Sequence, residues 1–333
     1  MPERNKQMLQ YWIQYPKLHK QLKAVTNILN DRMQVSNPDV QEALLSLNKS
    51  GGKTLRPAMF LLFAQFGDKA KQEEDRLMNI AASLEILHMA TLIHDDVIDD
   101  SPLRRGQVTI QSQYGKDVAV YTGDFLFTQF FDLIIDNIDE RDYIKINAQT
   151  MERILIGELN QMYKRFDQAE SVEEYLENIT GKTAELFWLS AMEGAHFAGT
   201  NDGITALAGS IGKNIGMAFQ VLDDILDYVS DTETLKKPVL EDLAQGIYTL
   251  PLLLAKAQAP AEFAPILDKK QHISDDDAKT IAKLVHQYAG VTKAQAYAKS
   301  YTNAALDAIA QLPDIKAKKI LQSVTKELLE RSY

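Results

Sequence analysis

Cysteine is absent from the 333-residue sequence, and its absence excludes disulfides, thiolate metal sites and a cysteine nucleophile. Glycine and proline are scarce, with 16 and 10 residues, and they do not cluster into a linker. An excess of positive charge is also missing, because the net charge is −10, which argues against a general nucleic-acid binder. No run approaches about 18 uncharged apolar residues, so we predict no membrane-spanning segment.

Apolar residues recur at three- and four-residue spacing along most of the chain, and the two-residue alternation of strands is rare. Two examples lead into acidic runs: Leu77, Ile80, Leu84 and Leu87, then Ile204, Leu207, Ile211, Ile215 and Leu222. The pattern predicts one all-α helical bundle, a single domain over residues 1–333 that is large enough to hold a site between helices. The N-terminus lacks the apolar core of a signal peptide, so we expect a cytoplasmic protein.

Two acidic runs with the same spacing stand at the predicted C-terminal ends of long helices, at Asp95–Asp100 and Asp223–Asp227. The first and fifth residues of each run fall on one helix face, a single turn apart. Like charges at that distance repel, and acids at a helix C-terminus oppose the helix dipole. A cation would relieve both effects. Carboxylates in this number suit Mg²⁺, which binds one or two of them together with phosphate oxygens.

Basic and polar residues supply candidate anion sites. The segment Gly51–Pro57 carries Lys53 and Arg56 at the start of a predicted helix, where backbone N–H groups also attract anions. Arg104–Arg105, directly after the first acidic run, and His88, two turns before Asp95, are further candidates. The alternatives are that Lys53 and Arg56 lie in a solvated loop, that Arg104–Arg105 form a neutralising salt-bridge cluster, and that His88 has a structural role. The remaining candidates are Lys182, Thr183, Gln220 and the pair Lys236–Lys237. Together they predict a cavity with two metal-binding walls and enough cations for two diphosphates.

In this order and at these intervals, the motifs resemble those of the trans-isoprenyl diphosphate synthases, over roughly residues 40 to 255. The matching set is Gly51–Pro57, His88, Asp95–Asp100, Arg104–Gly106, Lys182–Thr183, Phe219–Asp227, Lys237–Pro238, Asp242–Leu243, Gly246 and Thr249–Pro251. The resemblance implies an isoprenoid synthase fold, a helical bundle with a deep central cavity, commonly dimeric. It also implies an enzyme that joins an allylic diphosphate head-to-tail to isopentenyl diphosphate with Mg²⁺.

The resemblance implies a role for each matching residue. The diphosphate of isopentenyl diphosphate would be held by Lys53, Arg56, His88 and Arg105. The allylic diphosphate would be flanked by Arg104, Lys182, Thr183, Gln220 and Lys237. The Mg²⁺ ligands would be Asp95, Asp96, Asp99, Asp223, Asp224 and Asp227. The catalytic set would be Lys182, Thr183, Gln220, Asp95 and Asp223. Two departures from the common pattern, Lys236 and Ile247, would affect closure over the diphosphate and one phosphate contact.

Product length depends in this family on the side chain five residues before the first aspartate, which is Ala90 here. Short-chain members tend to carry an aromatic residue at that position, and a methyl group cannot block a growing prenyl tail. Leu87, one turn deeper, would be a partial barrier, followed by Ile86 and Ser83. We therefore expect a hexaprenyl or heptaprenyl product, with geranylgeranyl diphosphate as the alternative.

Three other functions are alternatives to this interpretation. A terpene cyclase also uses an aspartate-rich helix end, but its second motif usually has Asn and Ser in place of Asp224 and Asp227. A head-to-head synthase of the squalene type fits the basic residues poorly. A non-catalytic partner subunit would normally have lost one acidic run. The expected assembly is a homodimer, or a heterodimer with a small regulatory subunit.

Overall fold

The structure is a computed structural model, and it describes residues 11–50, 54–104, 106–229 and 240–329. Its first helices and strands are α1 Pro16–Arg32, α2 Pro38–Ser50, α3 Leu55–Ala64, α4 Glu74–Ile98, β1 Leu103–Arg104, β2 Gln107–Val108, α5 Ile110–Tyr114, α6 Lys116–Asn137 and α7 Arg141–Tyr163. They continue with α8 Val172–Ile179, α9 Glu185–Phe197, α10 Asp202–Val229, α11 Glu241–Ala244, α12 Leu250–Lys256, α13 Pro260–Leu267, α14 Asp275–Gln287, α15 Gly290–Ala310 and α16 Lys316–Leu329.

The chain groups into two compact units. The first unit comprises Met1–Ala148 with Leu189–Ala208, and the second comprises Gln149–Trp188 with Gly209–Tyr333. The predicted all-α class is confirmed, because helices dominate both units. That residues 1–333 act as one domain stays a prediction.

Helix α4 is the central element of the first unit and packs against α1, α3 and α6. Helix α6 runs antiparallel to it: Gly123 lies beside His94 near one end, and Asn79 donates a hydrogen bond to Asn137 Oδ1 at 3.2 Å near the other. A Cβ atom at position 123 would stand 2.4 Å from His94 Nε2. A side chain at position 123 would therefore displace the His94 ring.

A short antiparallel hairpin follows the first acidic run. Strands β1 and β2 pair Leu103 with Val108 and Arg104 with Gln107. The hairpin turns the chain back toward the end of α4, so a residue eight positions beyond Asp96 can contact it. Arg104 is brought to the acidic run in this way.

In the second unit, α8 continues into a π-helical turn, Thr180–Ala184, before α9 begins. Helix α12 packs against α14 and α15, and α15 packs against α16. Helix α14 begins with a capping box, in which the Ser274 side chain accepts a hydrogen bond from the Asp277 backbone and the Asp277 side chain accepts one from Ser274 N–H. These hydrogen bonds satisfy backbone donors that are left open at the helix start.

Two helices, α4 and α6, are long and apolar enough to cross a membrane by length and composition alone. The most apolar window of α4 is 72% buried, which is typical of a core helix in a soluble protein. The corresponding window of α6 is only 39% buried. Helix α6 therefore exposes more of its apolar window than α4 does.

Candidate active site

The first acidic run ends α4 and divides its carboxylates between the protein interior and the solvent. Asp99 caps the helix, and its N–H donates to the Asp95 carbonyl at 2.8 Å. Asp95 and Asp99 are therefore one helical turn apart, and both are half-exposed. Asp96, the residue directly after Asp95, is buried.

The buried Asp96 is paired with Arg104, whose Nε donates to Asp96 Oδ1 at 2.7 Å. Burial raises the pKa of the Asp96 carboxyl, and the neighbouring guanidinium acts in the opposite direction. The pair lines a pocket between α2, α4 and the β1–β2 hairpin. The structure thus gives Arg104 a positioning contact on the acidic run, while its predicted diphosphate contact stays a prediction.

The other predicted residues of the first unit lie on α3 and α4. Arg56 is in the first turn of α3 and is half-buried, and His88 is half-buried on α4, two turns before Asp95. Ala90 and Leu87 are fully buried on α4. Lys53, Arg105, Lys236 and Lys237 lie outside the described residues.

In the second unit, three predicted site residues form one hydrogen-bonded chain. Thr183 Oγ1 donates to Gln220 Oε1 at 2.7 Å, and Gln220 Nε2 donates to Asp224 Oδ1 at 2.8 Å. Asp224 is buried, and its other oxygen accepts a hydrogen bond from Tyr175 Oη at 2.5 Å. Burial raises the pKa of Asp224 well above its usual range, with Asp242 adding to the effect. The chain fixes the orientation of the Gln220 amide.

The neighbouring carboxylates of the second run point elsewhere: Asp223 is exposed and Asp227 is half-exposed. Both runs therefore share one plan, in which the second aspartate is buried and held by protein groups. The metal role predicted for Asp96 and Asp224 stays a prediction, and their contacts show a positioning role as well.

Lys182 lies in the π-helical turn and is held by two side chains of α7. Its Nζ donates to Glu158 Oε2 at 2.8 Å and to Gln161 Oε1 at 3.0 Å. Close contact of the two backbones requires glycine on both helices, because a Cβ atom on Gly157 or Gly181 would stand 2.8 Å from backbone atoms of the other helix. These two hydrogen bonds fix the position of the Lys182 ammonium group, and the Glu158 carboxylate balances its charge.

Within the described ranges, no three acidic or histidine side chains stand close enough to hold a metal ion by themselves. The donor chemistry nevertheless fits Mg²⁺. Each run offers a carboxylate pair one turn apart, Asp95 with Asp99 and Asp223 with Asp227. Mg²⁺ commonly completes its octahedral shell with substrate phosphates and water.

Sequence reasoning missed the partners that hold these side chains. Tyr175, Glu158 and Gln161 lie on helices distant in sequence from the residues they contact, and none belongs to a motif with recognisable spacing. One weak signal exists for Tyr175. It is eight residues before Thr183 on the buried face of α8, an apolar helix position where a phenol needs a partner.

The polyprenyl synthetase family model matches residues 37–288, about three quarters of the chain. The chain therefore belongs to the polyprenyl synthetase family, and the predicted prenyltransferase class and isoprenoid synthase fold are confirmed. The chain is 30% identical over 325 residues to heptaprenyl diphosphate synthase component 2 of Bacillus subtilis (strain 168), covering 98% of this chain and 92% of that protein.

Solved structures agree with this assignment. The crystal structure of geranylgeranyl pyrophosphate synthase from Lactobacillus brevis ATCC 367 superposes with a TM-score of 0.93 at 46% identity, covering 97% of this chain and 100% of that one. A polyprenyl synthase from Caulobacter crescentus CB15, complexed with calcium and isoprenyl diphosphate, superposes with a TM-score of 0.87 at 32% identity, covering 94% and 95%. The family is in general dependent on divalent metal.

Proposed function

We propose that this chain condenses an allylic prenyl diphosphate head-to-tail with isopentenyl diphosphate in a Mg²⁺-dependent reaction, giving an all-trans hexaprenyl or heptaprenyl diphosphate. The observation that carries the proposal is the hydrogen-bonded chain from Thr183 through Gln220 to Asp224, closed by Tyr175. It holds polar oxygens rigidly beside the second acidic run, as stabilisation of developing charge requires.

Substrate binding would follow from the charges of the described residues. Asp95 and Asp99 would supply carboxylates to Mg²⁺ bound with the allylic diphosphate, and Asp223 and Asp227 are a second carboxylate pair of the same kind. When bound, Mg²⁺ would neutralise the charge that grows on the leaving diphosphate. Lys182, oriented by Glu158 and Gln161, would add a fixed cation.

The reaction needs no protein nucleophile. The allylic C–O bond breaks and its electron pair leaves with the diphosphate, which creates an allylic cation. The double bond of isopentenyl diphosphate then forms the new C–C bond, and a proton is lost to the departed diphosphate. The Gln220 amide oxygen and the Lys182 carbonyl would face the cation, and Thr183 and Asp224 would prevent the amide from turning away.

A shorter product is the second candidate. The Lactobacillus brevis structure at 46% identity is named a geranylgeranyl pyrophosphate synthase, and other relatives are named heptaprenyl, octaprenyl and solanesyl diphosphate synthases. The fully buried Ala90 favours the longer product, since a methyl group leaves room for a prenyl tail to pass.

The partner would be a second copy or a small regulatory subunit. Helix α6 carries exposed apolar side chains along its length, at Val120, Tyr121, Phe131 and Ile135. Exposed apolar surface of this kind favours a protein interface. The relative named component 2 supports a two-component enzyme as the alternative to a homodimer. Sedimentation of the purified chain would distinguish a stable dimer from a monomer that needs its partner.

One assay tests the proposed reaction: diphosphate release and product mass, measured with farnesyl diphosphate alone, isopentenyl diphosphate alone, and both. We expect release only with both substrates and Mg²⁺, and products beyond twenty carbons. Release from the allylic substrate alone would indicate a cyclase, and none under any condition would contradict the proposal for the isolated chain.

Variants sharpen the assay. Asp95→Asn and Asp223→Asn should each lower turnover by at least tenfold, because each weakens charge neutralisation of the leaving group, where single electrostatic contacts are worth about 2.7–4 kcal/mol. Asp100→Asn is the matched control, since Asp100 is ion-paired with Lys116 at 2.9 Å and has a positive φ that Asn tolerates. Equal losses in all three would refute the assignment.

A further inference from the structure

One face of α4 runs from the proposed chain-length position toward the start of the helix. Its residues recur at three- and four-residue spacing: Ala90, Leu87, Ser83, Ile80 and Arg76. The first four are fully buried. At the far end, the Arg76 guanidinium carbon stands 5.2 Å from the centre of the Phe197 ring on α9. The last turn of α9 therefore lies along the same face of α4 as Ala90.

The direction of α9 relative to α4 follows from glycine contacts with α3. A Cβ atom on Gly194 would meet the Phe60 carbonyl at 2.2 Å, and one on Gly67 would meet the Ala198 carbonyl at 1.9 Å. Helices α3 and α9 therefore run in the same direction. Helix α4 starts where α3 ends and packs back against it, so α4 and α9 are antiparallel.

A carboxylic acid is buried between α9 and α7, one turn before Phe197. Glu193 and Asn147 are fully buried, and Asn147 Nδ2 donates to Glu193 Oε1 at 2.5 Å. The second Asn147 hydrogen goes to the Tyr143 carbonyl at 2.9 Å. Among the described residues, neither Glu193 Oε2 nor Asn147 Oδ1 has a hydrogen-bond partner. Burial raises the pKa of Glu193 to about 8, so the side chain is mostly neutral near pH 7.

The depth of this pair can be compared with that of Ala90. Because Phe197 lies at the level of Arg76 and the helices are antiparallel, Glu193, one turn before Phe197, lies at about the level of Ile80 on α4. Ile80 is ten residues from Ala90, which is about 15 Å along the helix axis. An isoprene unit advances a prenyl chain by four carbon–carbon bonds, about 5 Å. A chain that passes Ala90 at the farnesyl stage would reach Glu193 after about three more units.

We infer that Glu193 and Asn147 form the floor that limits product length in this chain. The inference rests on the proposed function and assigns it a stop at the hexaprenyl stage. The two side chains fill the space between α7 and α9, and their open polar oxygens offer an apolar chain end no favourable contact. The growing prenyl chain would then pass Ala90 and stop at the Glu193–Asn147 pair.

The test is product mass from farnesyl and isopentenyl diphosphates for the wild type and three variants. Glu193→Ala opens the floor and should lengthen the longest major product by at least one isoprene unit. Glu193→Val combined with Asn147→Ala should do the same without leaving a lone buried polar group, which protects the test against a folding failure. Glu193→Gln keeps the volume and polarity and should keep the wild-type length.

Two further measurements exclude general loosening of the fold. Thr325→Val removes a buried hydroxyl without a described partner on α16 and should leave product length unchanged. In an Ala90→Phe background, Glu193→Ala should have no effect, because the chain never reaches position 193.

The outcomes separate the two levels of the proposal. Wild-type product length in both floor variants, or a wild-type enzyme that stops at geranylgeranyl, would overturn the floor while leaving the prenyltransferase function in place. A wild type that makes no elongated product with both substrates would overturn the proposed function and the floor together.

Discussion

The buried carboxyl of Glu193 makes stability depend on pH in a way that the variant Glu193→Gln should remove. Burial raises its pKa from 4.5 to about 8. Between these values the folded chain holds a proton that the unfolded chain has released, so the free energy of unfolding falls as pH rises through this window. Below pH 4.5 both states are protonated, and above pH 8 the loss is complete.

The magnitude follows from the size of the shift. One pKa unit corresponds to about 1.4 kcal/mol, so the shift sets an upper limit of about 5 kcal/mol. The effective dielectric constant of real proteins reduces this to a few kcal/mol. The glutamine side chain of the Glu193→Gln variant never ionises, and its amide can keep the hydrogen bond from Asn147. The variant should therefore match the wild type near pH 4.5 and exceed it increasingly up to about pH 8.5.

Thermal unfolding at several pH values between 4.5 and 8.5 measures the effect. For 333 residues, an unfolding entropy of about 2.1 cal/mol/K per residue means that 3 kcal/mol shifts Tm by about 4 °C. Glu152→Gln, an exposed position on the same helix as Asn147, is the matched control and should show a constant difference. A Glu193→Gln advantage that stays flat or shrinks with rising pH would refute the buried neutral acid.

Three further predictions concern other parts of the chain. Tyr175→Phe should lower kcat about tenfold with little change in the KM for isopentenyl diphosphate, because leaving a buried hydrogen-bonding group without its partner costs about 1–3 kcal/mol. A change confined to Tm would remove Tyr175 from the positioning chain. Ala90→Phe should shorten the product while turnover persists, and unchanged product mass would contradict its place on the tail path. Ser274→Ala should lower the free energy of unfolding by about 1 kcal/mol through loss of the α14 cap, with activity unchanged, and denaturant titration would show any failure of this expectation.

Much of the fold follows from patterns that are local in sequence. The helical period predicts α4 and α10, and both end at the acidic runs as expected. The cap at Ser274 is also predictable, because the residues that form it are three positions apart. The hairpin at β1 and β2 is not, since two-residue strands carry no alternation to read.

In the candidate site, too, features set by neighbouring residues can be predicted from the sequence, and contacts between residues far apart in the chain cannot. Helix geometry alone places Asp95 and Asp99 on one face. The burial of Asp224 depends on Tyr175, which is 49 residues earlier in the chain, and no spacing rule connects them. The pairing of Glu193 with Asn147 across 46 residues is equally invisible in the sequence. Tertiary packing determines which carboxyls meet solvent and which meet a partner.

The π-helical turn at Thr180–Ala184 makes the site sensitive to the number of residues in the turn as well as to their side chains. A π turn accommodates one residue more than an α turn. Deleting a residue there would restore an ordinary α turn, in which successive side chains point about 100° apart, and would redirect the side chains of the turn itself. Lys182 and Thr183 would lose their angular relation, and one of them would leave its partner on α7 or α10. Single-residue deletions in this turn should therefore be tolerated far less than substitutions at the same positions.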